Sequence, residues 1–217
     1  MQREAEALAD EAVGTFGGLD ILVNSAGWTT VVDHADLDGL TDDILHRTFE
    51  VDVFGTWWVT KRAIPHPRRS EDPNVVIVSS VAGLRPIGSS VAYAMSKAAL
   101  NHLTVLLARS FGPVRVNAVA PGLVDTPWTK EWDALHAAVA AQAPVPRSAT
   151  PDDCAEAVLP LSPRTGRRGS RRARRGPRSR RREGPGRSGC AARAWPDSAR
   201  TGAVRHACMP RLGRRTP

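Results

Sequence analysis

Cysteine is too scarce in this 217-residue chain to hold a fold together: Cys154, Cys190 and Cys208 are an odd number with no CxxC spacing. That argues against a disulfide framework or a zinc site and fits a reducing cytoplasm. No apolar run approaches the ~20 residues that a membrane helix needs. The opening MQREAEALADEAVG is an acidic amphipathic helix pattern rather than a signal peptide. The body is therefore read as cytoplasmic, globular and free of membrane contact. Lysine and tyrosine are scarce too, with three lysines and a single tyrosine in the whole chain.

Charge is present but unevenly placed. The first 163 residues hold 12 basic and 20 acidic side chains, whereas residues 164–217 hold 18 arginines against Glu183 and Asp197. The body is thus −8 and the tail +16, which together give the net charge of +8. Residues 164–217 lack Ile, Lys, Asn, Gln, Phe and Tyr and show no apolar periodicity, so they offer too little to bury against the entropy of ordering. Two units follow: a folded body over 1–162 and a disordered Arg/Gly/Pro-rich tail over 163–217. An arginine-rich tail can bind nucleic acid. Here it repeats no motif and interleaves only Trp195, and its residues are those of GC-rich codons. That composition favours a frameshift near Leu161 over a nucleic-acid site.

In the body, apolar runs alternate with helical spacing. Helix is predicted over 2–16, from Thr41 to about Pro65, over 90–111, and near 128–141 and 151–160. Short continuous apolar runs at 19–27, 74–80 and 114–120 read as buried strands. This alternation predicts an α/β fold with a parallel sheet covered on both faces. Ligands in such sheets bind beyond the carboxyl ends of the strands. Those ends carry NSAG, SSVAG and APG, three small-residue loops directed at one crevice.

The lone tyrosine lies in YAMSK, with Lys97 four residues after Tyr93 and so on the same helical face. Ser80 ends the preceding strand thirteen residues earlier. Two hydroxyls can bind one carbonyl oxygen, and an ammonium near the phenol lowers its ordinary pKa of about 10. This is acid–base machinery for interconverting an alcohol and a carbonyl, and it needs a hydride carrier.

DILVNSAG, SSVAG, YAMSK and VNAVAPG, in this order and spacing, resemble the short-chain dehydrogenase/reductase family over roughly residues 1–160. The resemblance implies a Rossmann-like doubly wound sheet, NAD or NADP as cofactor, and a small alcohol or carbonyl substrate. It implies that Tyr93 is the catalytic acid/base, that Ser80 steadies the substrate oxygen, and that Lys97 tunes the phenol and holds the nicotinamide ribose. Asn24, Ala26 and Gly27 would line the adenosine side, and Pro121, Gly122 and Thr126 the nicotinamide side. Helices 41–65 and 90–111 would form a homo-oligomer interface.

Three departures accompany it. NSAG has Ser25 where the family has a second asparagine. Asp52 stands where the family places the asparagine of its catalytic set; it loses the amide donor and adds a charge that can draw on Lys97. No TGxxxGxG turn occurs, so the sheet is expected to be partial, lacking its first strands, with impaired activity. The alternative reading is an inactive remnant that acts as an interaction module or binds nucleic acid through the tail. Two decoys are set aside. GPGRSG at 184–189 matches a dinucleotide fingerprint but follows no strand. The stretch His34, Asp36, Asp38, Gly39 imitates a calcium loop but has Leu45 at the position of the bidentate glutamate; no metal site is expected.

Overall fold

The computed structural model describes residues 1–65, 73–143, 145–162 and 204–206. Four strands, β1 (Ile21–Asn24), β2 (Asn74–Val78), β3 (Arg115–Ala120) and β4 (Val204–His206), form one sheet in that spatial order. All three pairings are parallel, which is the partial Rossmann-like sheet anticipated from the sequence. β4 is the described segment of the tail; the expected disorder of 163–217 and the GPGRSG stretch otherwise lie outside the described residues.

Local chemistry sets the helix boundaries. α1 (Gln2–Phe16) stops at Gly17, whose φ of 76° is the left-handed conformation that glycine adopts freely. α2 (Asp42–Phe49) starts behind Thr41, whose hydroxyl accepts the Ile44 N–H, and has Asp42 and Asp43 in the turn where the dipole favours anions. α4 (Val91–Ser110) is capped by Ser90, which accepts the N–H of Tyr93. α5 spans Asp133–Gln142. α6 (Pro151–Val158) has a capping box of Thr150 and Asp153 with proline in its first turn.

One helix differs from expectation. The helix from Thr41 is interrupted by a π-helical stretch, Glu50–Gly55, before α3 (Thr56–Ala63). Apolar spacing could not reveal this, because π and α turns differ by one residue and tertiary contacts select between them. Segments of this kind cluster at functional sites, and this one contains a fully buried carboxylate, Asp52.

Alternation along β2 and β3 divides the core. Val75, Ile77, Val116 and Ala118 pack with Leu100, Leu107 and Ala108 of α4. On the other face Val76 and Val119 meet Leu161, with Ala157 and Val158 of α6 against them. β1 departs from the buried strand expected. Leu22 joins the α4 side of the core, but Ile21 and Val23 are 38% and 45% exposed. Among the described residues β1 is an edge strand, and the packing beneath α6 involves β2 and β3 rather than β1.

Leu100 is 1% exposed, one turn beyond Lys97. Truncating it to alanine should cost roughly 2–5 kcal/mol of stability, read from the urea midpoint at an unchanged m-value.

Candidate active site

The strand ends fix the site before any side chain is considered. Asn24, Ile77 and Ala118 are in register across β1, β2 and β3. Beyond them the loops are stitched by backbone bonds, Ser79 N–H to Val119 O at 2.8 Å and Val81 N–H to Pro121 O at 2.9 Å. SSVAG and APG are thereby locked side by side, as the crevice argument required.

The SSVAG loop then folds into a short 3-10 turn, Val81–Gly83, whose N-cap is Ser80. Ser80 Oγ accepts the Ala82 N–H at 3.2 Å, which orients the hydroxyl on a buried residue. The turn presses on α4 so closely that a Cβ on Gly83 would lie 2.5 Å from Lys97 C and 2.7 Å from Ala98 N. Ser79 Oγ donates to Lys97 O at 3.2 Å, and Asn101 Nδ2 donates to Gly83 O at 3.1 Å. The glycine of SSVAG is thus what lets the Ser80 turn approach the YAMSK turn, where the Ser80 hydroxyl acts on the Tyr93 phenol.

Lys97 is 3% exposed and Asp52 fully buried. The ammonium lies 3.4 Å from Asp52 Oδ2 and 5.2 Å from the centre of the Tyr93 ring. Asp52 is held on both oxygens: Oδ1 accepts the Trp28 N–H at 2.8 Å, and Oδ2 accepts from Ser96 Oγ at 2.7 Å. The same Ser96 hydroxyl lies 2.8 Å from Tyr93 O. Sequence reasoning passed over Ser96, although it is the fourth letter of YAMSK, and Gly83. The signal was available only as a small residue at each position.

This arrangement reverses the expected electrostatics. Burial first, and the Asp52 charge second, push the Tyr93 phenol up to about 12, against a hydrogen bond from Ser80 that favours the phenolate. Burial lowers the Lys97 pKa while its attraction to Asp52 opposes the fall. The ammonium was expected to bring the phenol down; its charge is instead met by Asp52.

Of the residues expected to border a cofactor, Gly27 abuts the catalytic candidates directly. A Cβ there would lie 3.3 Å from Lys97 Nζ and 3.5 Å from Asp52 Oδ1. Asn24 caps β1 and spends its amide on Thr60 Oγ1 at 3.0 Å. Ala26 is exposed in the following loop. Pro121 is buried at the end of β3 with Gly122 next to it. Thr126 begins a turn in which its N–H meets Thr129 Oγ1 at 3.1 Å. In the calcium-like stretch, Asp36 Oδ1 accepts the Gly39 N–H at 2.8 Å, an ordinary local turn. Among the described residues no helix is long and apolar enough to cross a membrane.

A family model described as enoyl-(acyl carrier protein) reductase matches residues 1–166. The chain belongs to the short-chain dehydrogenase/reductase family. It is 47% identical over 166 residues to ketoacyl reductase 2 of the granaticin polyketide synthase from Streptomyces violaceoruber, covering 74% of this chain and 66% of that relative. It is 36% identical over 159 residues to the cis-4-hydroxycyclohexanecarboxylate dehydrogenase of Sinomonas cyclohexanicum, covering 72% and 63%. The solved structure of ElxO with NADP bound aligns with a TM-score of 0.68 at 26% identity, covering 75% of this chain and 67% of that one. The chain spans just under two thirds of the length of these two curated relatives.

Gly83 should tolerate no side chain. Gly83→Ala forces backbone of the turn and α4 apart and should destabilise by roughly 1–3 kcal/mol, measurable as a lowered denaturation midpoint.

Proposed function

We propose that this protein interconverts a carbonyl and an alcohol with NAD or NADP, using Ser80, Tyr93 and Lys97. The observation that carries the reading is the packing of the Ser80 turn against the helix of Tyr93 and Lys97 at the carboxyl ends of three parallel strands. The substrate class we favour is a ketoacyl-type carbonyl, following the name of the 47% identical relative. The functional unit is residues 1–162, and the cytoplasm is the compartment that fits the sparse cysteines.

Each residue has a task its surroundings support. Ser80, fixed by its cap, would donate to the substrate carbonyl oxygen and hold it at the phenol. Tyr93 would give its proton to that oxygen as the carbonyl is reduced, or accept one from the alcohol in reverse. A bound nicotinamide cofactor would supply or accept the hydride. Lys97 and Tyr93 offer an ammonium and a hydroxyl suited to ribose hydroxyls, and the missing Cβ at Gly27 keeps the loop clear of Lys97. Those features fit the nicotinamide half of the cofactor. The 217 residues contain no TGxxxGxG turn for the pyrophosphate, so the affinity of this chain for dinucleotide should be weak. Replacing Tyr93 with phenylalanine removes the proton donor but keeps the ring. The variant should lose about 10²–10⁴-fold in ketone-dependent oxidation of NADH or NADPH. An unchanged rate, or no turnover by the parent chain, would contradict the assignment.

A second copy of the chain is the partner we favour. Val53, Phe54 and Trp57 form an apolar groove with Ala99, Leu103 and Leu106. Phe54, Trp57 and Leu106 are 48%, 39% and 51% exposed. A contiguous patch of this kind on helices 41–65 and 90–111 suits association. Sedimentation should show an oligomer for the parent chain and a monomer for Leu106→Glu.

A further inference from the structure

Resting on the oxidoreductase reading, we propose that Asp52 is a positioning residue that holds Tyr93 in its proton-donating form well into alkaline solution. Carbonyl reduction would then keep its acid where a free ammonium would have let the phenol ionise. Asp52 thus does more than weaken the site, as its departure from the family asparagine first suggested.

The geometry makes the case. Lys97 is the cation next to the phenol, and its ammonium lies 3.4 Å from Asp52 in a place closed to solvent. The pair is neutral, so little net positive charge remains to favour a phenolate. Asp52 is also tied to the tyrosine's own turn. Ser96 Oγ sits 2.7 Å from Asp52 Oδ2 and 2.8 Å from Tyr93 O, fastening the carboxylate to the helix that carries the phenol. The Trp28 N–H fixes the other oxygen, so Asp52 cannot swing away from Lys97 without orphaning that buried donor.

Among the described residues Asp52 and Lys97 are the charged side chains that are buried, and Glu50 of the π-helical stretch, which also packs on α4, is paired at the surface with Arg47. The loop after β1 brings Gly27 and Trp28, and the turn after β2 brings Ser80, all uncharged. α2, which also packs on α4, carries Asp42, Asp43, His46 and Arg47, and all four are exposed. Asparagine at position 52 would keep an oxygen for the Trp28 N–H and lose the charge. Lys97 would then be free to act on the phenol, which is the arrangement expected from the family pattern.

The chain's single tyrosine makes the test direct, because every phenolate absorbance change belongs to Tyr93. The full chain is titrated by ultraviolet difference absorbance, with circular dichroism confirming the native fold at each pH, alongside D52N. The parent should remain un-ionised beyond the ordinary phenol value of about 10. D52N should ionise at least about one pH unit lower. An ordinary midpoint in the folded parent, or coincident curves for parent and variant, would overturn the proposal. If D52N does not fold, D52S takes its place in the comparison, because burial by itself also raises the parent midpoint. The titration needs neither cofactor nor substrate, so its failure leaves the oxidoreductase reading standing. Loss of turnover with an intact shift removes that reading instead.

Discussion

The buried contact between Lys97 and Asp52 is the constraint on which the site depends. Two opposite charges have left water together, and neither could be kept there alone without a penalty of several kcal/mol. Meeting that condition requires everything around it: the glycine at position 27 that leaves room for the ammonium, the Trp28 N–H and Ser96 hydroxyl that complete the carboxylate, and a helix that delivers Asp52 inward. The π-helical stretch Glu50–Gly55 is the local irregularity that accompanies this delivery. A regular continuation would rotate Asp52 relative to the residues on either side of it.

The sheet provides the other half of the geometry. Parallel register places the ends of β1, β2 and β3 level, and backbone bonds from Ser79 and Val81 carry that alignment into the loops. Gly83 then closes the distance between the Ser80 turn and α4. The position of Tyr93 is therefore tied to the packing of Leu100, Ile77 and Val116, which hold α4 against the sheet.

Much of this was legible in the residues. The helix over 2–16, the strand beginning at Asn74 and the long helix carrying Tyr93 and Lys97 follow from apolar spacing, glycine stops and a serine cap, all local signals. The convergence of Ser80 with Tyr93 followed from a strand end and the helix that returns beside it. What local signals could not supply was tertiary in origin. The π turn at Asp52 and the exposure of Ile21 and Val23 depend on what packs against those segments. The direction of the phenol shift depends first on burial and then on a partner 41 positions before Tyr93 in the chain. A lysine four residues from a tyrosine says that a cation is near; it cannot say that the cation is already paired.

That pairing is measured most directly by a double-mutant cycle on stability, with Asp52→Asn, Lys97→Met and the two combined, followed by denaturant unfolding. If the buried pair is as described, the two substitutions are strongly non-additive, with a coupling of roughly 1–3 kcal/mol. Additivity within about 0.5 kcal/mol would show that Lys97 and Asp52 do not hold each other, and the account of the site would fall with them.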